Sequence, residues 1–274
     1  MSKITTVKNT SGKELYKYQK IAIEEIFQRF DNAANDYHLL YQLPTGGGKT
    51  VIFSEIVRRY ISKYNKKVLV LTHRIELSKQ TSNMLGEFGV PNKIINSTAN
   101  LDDQDNYHCF VAMVETLKNR LTDDKLDISD IGLVIVDEAH YNSFTKIFKF
   151  FDESFILGVT ATPLSSNIKL PMYENYKELY VGETIEHLIE NHYLASANMY
   201  SYNVGLTSLE VGANGDYTVK SSEDLYTNVD MLSKLVSAYE ETSKGKKTLI
   251  FNNGIHTSIQ VFHAFKRADY FTGS

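Results

Sequence analysis

The sequence predicts an α/β protein built on a doubly wound, mostly parallel sheet, and three observations carry that expectation. Strand-like and helix-like segments alternate through the first half of the chain. The strand candidates are apolar throughout rather than alternating, as a sheet covered by helices on both faces requires. The unusual residues gather directly after those strands, at the carboxyl ends where such sheets bind their ligands.

Taken in order, His38–Gln42 (HLLYQ) is a short apolar run with strand character. Behind it, residues 49–64 (KTVIFSEIVRRYISKY) place Val51, Ile52, Ile56, Val57, Tyr60 and Ile61 on one face at helical spacing. Lys67–Thr72 (KVLVLT) predicts the next strand and residues 74–88 (RIELSKQTSNMLGEF) the next helix. A strand at 108–113 (HCFVAM) and a helix at 114–121 (VETLKNRL) follow, then strands at Ile131–Asp137 (IGLVIVD) and Phe155–Thr160 (FILGVT). A second strand–helix pattern comes late, with KTLIFNN at 247–253 before GIHTSIQVFHAFKRA at 254–268. From about 206 to 229 the text is polar, with Gly205, Gly212 and Gly215 and little periodicity, and reads as a linker with room for a short hairpin.

At 274 residues the chain is long enough for one large or two small α/β domains. Its 42% hydrophobic and 23% charged residues are those of a soluble globular protein. There is no run of about 18 apolar residues, so no membrane partner is expected. The start, MSKITTVKNTSGK, lacks the apolar core of a signal peptide, and the expected compartment is cytoplasmic. A single cysteine, Cys109, excludes an intrachain disulfide and a cysteine-based zinc site, and its strand context predicts core. The net charge of −4 argues against a strongly basic nucleic-acid-binding domain. A local basic groove remains compatible with it, so charge does not decide for or against a nucleic-acid partner.

The segment LPTGGGKT at 43–50 lies between a predicted strand and a predicted helix. That is the setting of a P-loop, a glycine-rich turn ending in Gly-Lys-Ser/Thr. Glycines let the backbone turn its N–H groups inward around an anion, and the following helix points its positive end at the same spot. Lys49 would then reach the terminal phosphates and the Thr50 hydroxyl would coordinate Mg²⁺. The full pattern has glycine where this chain has Leu43. The alternative is a glycine-rich surface turn with a solvated lysine.

LVIVDEAH at 133–140 follows the buried strand with two adjacent carboxylates, which are costly there unless something charged meets them. Asp137 at the strand end could hold Mg²⁺, and Glu138 could orient or deprotonate an attacking water. The alternative is that the pair caps a helix. A P-loop upstream in the same series favours the first reading, since the two segments supply both halves of an ATPase site.

By these segments the chain resembles superfamily 2 helicases and translocases of the DEAD/DEAH type. It is most similar to the branch of type I and III restriction subunits and RadD-like DNA repair helicases. LPTGGGKT resembles motif I, VIVDEAH motif II and GVTATP (158–163) motif III. LYKYQ (15–19) resembles the adenine-reading segment, VLTHRIELSKQ (70–80) motif Ia, VAMVETL (111–117) motif Ib, and KTLIFNNGIHT (247–257) motif IV. These blocks stand in the family's order along nearly the whole chain.

The resemblance implies a RecA-like first domain over 1–203, a linker over 204–230 and the beginning of a second RecA-like domain over 231–274. It implies ATP and Mg²⁺ as cofactors. Gln19 would read adenine, while Thr45, Gly46, Gly47, Gly48, Lys49 and Thr50 would hold the nucleotide. Asp137 and Thr50 would bind the metal, and Glu138 would activate water. His140 would sense the γ-phosphate or couple to motif III, the alternative being a structural histidine. Thr160 and Thr162 would link nucleotide to nucleic acid, which is DNA rather than RNA by closest resemblance. Arg74 and Thr116 would touch the backbone of the bound strand, although Arg74 also suits a solvated helix position.

Two departures qualify this. Related proteins complete their site with an arginine finger in a Gln-x-x-Gly-Arg-x-x-Arg block, which these residues do not contain; Arg267 is the only arginine after motif III. Either the polypeptide belongs to a longer helicase, with further domains or subunits beyond Ser274, or it is a natural truncation; weak hydrolysis and no processive unwinding are expected of this polypeptide alone. Ile259, Val261, Phe262 and Phe265 are expected to be uncovered. The loop after motif III reads LSSN (164–167), where an arginine is usual. The competing function is a nucleotide-dependent clamp without turnover. A P-loop kinase or GTPase would need neither DEAH nor TATP.

Overall fold

The computed structural model describes residues 14–33, 36–99, 102–122, 130–141, 144–165, 169–213 and 215–270. The N-terminal stretch 1–13, and Ser166 and Asn167 of the LSSN loop, lie outside the described residues. The chain divides into two compact units, Met1–Ser196 and Ala197–Ser274.

Among its described residues the first unit carries seven strands: β1 (His38–Gln42), β2 (Lys67–Thr72), β3 (Asn92–Ile95), β4 (Cys109–Met113), β5 (Ile131–Asp137), β6 (Phe155–Thr160) and β7 (Glu178–Val181). They form one sheet in the order β3-β4-β2-β5-β6-β1-β7, and every pairing is parallel. Successive side chains of a strand point to opposite faces. Leu39, Val68, Val70, Leu133 and Ile135 accordingly enter one core, and Leu40, Leu69, Leu71, Val134 and Val136 the other. That is why these strands are apolar at every position. Cys109 is fully buried in β4, as its neighbours predict.

On the first face lie α1 (Lys17–Asn32), α2 (Lys49–Tyr64) and α3 (Ile75–Glu87). Helix α1 buries Tyr18, Ala22, Ile23, Ile26, Phe27 and Phe30, a three- and four-residue spacing that makes one stripe. Helix α2 buries Ile52, Phe53, Ile56, Val57 and Tyr60, while Val51 and Ile61 sit at the margin. On the other face α4 (Val114–Thr122) packs Val114, Leu117 and Leu121. The short α5 (Thr145–Phe148) and α6 (Ile185–Glu190) complete the unit. Among the described residues no helix is long and apolar enough to cross a membrane.

The second unit holds α7 (Val219–Tyr226), α8 (Val229–Thr242) and α9 (Ile255–Arg267) around a small core of Leu232, Val261, Ala264 and Phe265. Three expectations are corrected here. Residues 247–253 form no strand: Leu249 is 77% and Phe251 89% exposed, and among the described residues of this unit no strand offers them an edge. A β-run without a neighbour has no ladder to enter. Val261 and Phe265 are buried against α8 rather than uncovered, leaving Ile259 and Phe262 exposed. The polar stretch read as a linker contains α7, whose start is capped by the Thr218 hydroxyl accepting the Ser221 N–H, beside an antiparallel bridge between Val211 and Tyr217.

Candidate nucleotide site

The glycine turn sits between β1 and α2, at the carboxyl edge of the sheet. Gly46 has φ +83° and Gly48 φ +81°, a left-handed region that side chains with a Cβ avoid. Gly48 also forms the N-cap of α2, and it accepts the Ile52 N–H at 3.0 Å. The helix's first turn thus faces the loop with N–H groups that have no acceptor within the helix. Leu43, which departs from the full pattern, is fully buried and plugs the space under Gly47, where a Cβ would stand 2.8 Å from Leu43 Cγ. Its N–H donates to the Thr160 carbonyl at 2.9 Å, stitching the loop to the end of β6. The Lys49 ammonium folds back on the loop and donates to the Leu43 carbonyl at 3.4 Å. Thr45 and Gly46 are exposed; Thr50 is half-buried in the first turn of α2.

Asp137 ends β5 and is only 8% exposed. Burial and the neighbouring Glu138 carboxylate push its carboxyl up to about 6, against the Lys49 ammonium and the Glu138 N–H, which donates to it at 3.0 Å. Glu138 has φ +53°, a conformation uncommon for a non-glycine residue. The chain then turns instead of entering a helix, with Ala139 N–H donating to Val159 O at 3.0 Å and Tyr141 N–H to Glu138 O at 3.1 Å. The helix-cap alternative for the carboxylate pair therefore does not describe this turn.

His140 Nδ1 lies 3.0 Å from Thr160 Oγ1 and 3.4 Å from Glu138 Oε2. The Thr160 hydroxyl donates to the Thr162 carbonyl at 3.0 Å and accepts the Thr162 N–H at 3.1 Å. With that hydroxyl hydrogen engaged, the network assigns the proton to His140 Nδ1. Motifs II and III are thereby joined through side chains. Thr162 itself is exposed.

Gln19 is buried near the start of α1, its Oε1 accepting the Tyr16 N–H at 3.0 Å. Its Nε2 approaches Gly48 so closely that a Cβ there would stand 2.6 Å away. Arg74 is exposed at the N-cap of α3 and Thr116 is half-buried on α4. These two follow β2 and β4, on the far side of β5 from the glycine turn. The structure thus brings Gln19, the glycine turn, Lys49, Asp137, Glu138, His140 and Thr160 to one stretch of the carboxyl edge and leaves Arg74 and Thr116 farther along it.

Several neighbours escaped the sequence reading. Tyr18 donates its hydroxyl to the Gly47 carbonyl at 2.7 Å. Leu194 rests on Gly46, where a Cβ would lie 2.8 Å from Leu194 Cδ2. His73 stacks on Tyr141 and His140 meets the same ring at a tilt, each with centroids 4.3 Å apart. Tyr18 carried a signal, standing beside Gln19 in LYKYQ. Leu194 carried none, because its contact is made across the fold.

Among the described residues no cluster of three His, Cys, Asp or Glu could hold a metal ion. The oxygen donors of Thr50 and Asp137 nevertheless suit Mg²⁺, which takes one or two carboxylates and completes its shell with water and phosphate oxygens. A desolvated carboxylate whose proton is retained to about pH 6 is a group that a cation would relieve.

Comparison with known proteins shows what the chain is similar to. The chain is 29% identical over 233 residues to the 51.5 kDa protein of a Lactococcus phage, a match covering 84% of this chain and 47% of that one. It is 32% identical over 145 residues to the ATP-dependent DNA helicase MPH1 of Saccharomyces cerevisiae, covering 46% of this chain and 14% of that one. This chain thus spans under half the length of either relative. The Hef helicase domain of Pyrococcus furiosus superposes over 92% of this chain and 52% of its own with a TM-score of 0.53 at 20% identity, a likeness of fold. The family model described as "Type III restriction enzyme, res subunit" matches residues 12–165, more than half of the chain. With a glycine cradle and a DEAH turn side by side on a RecA-like sheet, the chain belongs to that family.

Proposed function

We propose that this chain is the nucleotide-binding core of an ATP-dependent DNA helicase or translocase. The observation that carries the reading is the desolvated Asp137 carboxyl, whose charge the Glu138 carboxylate opposes and the Lys49 ammonium favours, beside a glycine cradle. In this reading Thr45 to Gly48 and the first turn of α2 receive the phosphates, Lys49 pairs with the terminal ones, and Gln19 meets the base. Thr50 and Asp137 would hold Mg²⁺, which when bound neutralises charge on the β- and γ-phosphates. Glu138, projected from a left-handed residue, would take the proton of the attacking water. His140 would report the event to Thr160 and Thr162 through the hydrogen bonds already in place.

DNA is the proposed polymer, since MPH1 is named a DNA helicase. Arg74 and Thr116 are proposed to touch its backbone, where most contacts carry no sequence information. Completion by an arginine from outside these residues, in a longer chain or a partner subunit, belongs to the proposal. By itself this polypeptide is expected to hydrolyse ATP slowly and not to unwind processively.

Glu138→Gln tests the catalytic part. Nucleotide binding is expected to survive while turnover falls by about 10²- to 10⁴-fold. Turnover unchanged by the substitution would contradict the role. A second reading is a clamp that binds nucleotide without turnover. That reading gains if wild type and Glu138→Gln both bind nucleotide and neither hydrolyses it, even with single-stranded DNA present.

A further inference from the structure

We propose that Tyr18 is a positioning residue for the phosphate loop: by holding the Gly47 carbonyl, its hydroxyl keeps the Gly48 N–H turned toward the anion. The inference rests on the nucleotide reading above. Its physical basis is the planarity of the peptide unit. The carbonyl of one residue and the N–H of the next share a plane and point in opposite directions. Fixing the Gly47 carbonyl against Tyr18 therefore fixes where the Gly48 N–H points. A peptide flanked by two glycines has no Cβ to oppose its rotation, so without a tether it samples the flipped orientation cheaply. In the flipped form a carbonyl oxygen, not an N–H, would meet the phosphate.

The tether is built to persist. The Tyr18 hydroxyl donates to Gly47 O at 2.7 Å, and the side chain is 6% exposed. Its ring packs in one cluster with those of Tyr16 and Tyr193, whose centroids are 6.0 and 5.0 Å away and 4.7 Å from each other. Burial raises the phenol pKa above its ordinary value, so the donor hydrogen is retained at neutral pH. Tyr193 is fixed in turn by its N–H donating to Leu188 O at 2.8 Å, and the adjacent Leu194 lies against Gly46. The glycine turn is thus contacted both by α1, through Tyr18, and by the segment after α6, through Leu194.

The test is competition of Mg²⁺-ADP, Mg²⁺-GDP and Mg²⁺-pyrophosphate against a fluorescent ADP, each protein being held well below its melting temperature. Wild type, Tyr18→Phe, Gln19→Ala and Tyr193→Ala are compared. Tyr18→Phe keeps the ring and removes only the hydroxyl. It is expected to weaken all three ligands by one common factor of about five, as befits one neutral hydrogen bond acting on phosphates. Tyr193→Ala, which keeps the hydroxyl but loosens the ring, is expected to give the same uniform pattern to a smaller extent. Gln19→Ala should instead alter the ratio of ADP to GDP affinity. Wild-type affinities in Tyr18→Phe would overturn the proposal and leave the nucleotide reading standing. A loss confined to ADP would overturn it too, by placing the hydroxyl at the base. A role in stability alone would lower melting and leave all three affinities unchanged. Failure of the wild type to bind any of the three would overturn both inferences.

Discussion

Asp137 ends a strand buried on both faces, and burial pushes its carboxyl up to about 6 from an ordinary 3.8. The folded state therefore holds this proton more tightly than the unfolded chain does between those two values. Stability must fall as pH rises through that window and then level off. At about 1.4 kcal/mol per unit the loss is on the order of 2 to 3 kcal/mol. Asp137→Asn is expected to recover most of it above about pH 7 and almost none near pH 4, read as the urea midpoint without nucleotide or metal. Equal gains at both values would contradict the assignment. The same substitution should abolish Mg²⁺-dependent nucleotide affinity, so stability and function move in opposite directions at this residue. The residues of this site were legible where their chemistry is local. A run of glycines before Lys-Thr, and two carboxylates after an apolar strand, are anomalies that announce themselves. Leu43 was legible only as a departure. Its work, filling the space below Gly47 and bonding to the end of β6, is done against partners that sequence spacing does not reveal.

Among the elements, helix α1 is fastened to the edge strand β7 by charge as well as by its apolar stripe. Arg29 Nε donates to Glu178 at 2.8 Å, and its guanidinium sits 4.7 Å from the centroid of the Tyr180 ring. The Tyr37 hydroxyl also donates to Glu178. Partial exposure screens the ion pair, so Arg29→Ala is expected to cost about 1 to 2 kcal/mol, pair and ring contact together. A cost near zero in urea melts would show that the apolar stripe alone holds the helix. In β6 the Gly158 of GVTATP lies against Tyr176, whose hydroxyl would stand 2.5 Å from an added Cβ. Gly158→Ala is expected to destabilise by about 1 to 3 kcal/mol through overpacking. An unchanged melting midpoint would contradict that. The residue is thus needed for packing, although the motif around it is read for coupling. The central strands could be read because burial on both faces leaves an unmistakable apolar run. The four-residue edge strands β3 and β7 were not read, since a strand with one open edge tolerates Asn92, Lys93 and Glu178. KTLIFNN failed in the opposite sense, having the composition of a strand and no neighbour to pair with.

In the whole molecule, the sheet, its two cores and every residue assigned to the nucleotide site fall within Met1–Ser196. The second unit adds α7, α8 and α9 around a small core of Leu232, Val261, Ala264 and Phe265. A polypeptide ending at Ser196 is therefore expected to bind nucleotide as the full chain does, and loss of binding would assign part of the site to the second unit. Doubly wound topology was legible from alternation and apolar strands alone. The division after Ser196 was not, because no glycine, proline or charge run marks the text from Tyr193 to Tyr202. All of these readings depend on the glycine turn being a phosphate cradle, and one titration tests that directly. Fluorescent ADP is added to the wild-type chain and to Lys49→Ala, each with and without Mg²⁺. Binding that requires Mg²⁺ and is lost in Lys49→Ala is the expected result. Equal binding by the two proteins, or none by either, would contradict it.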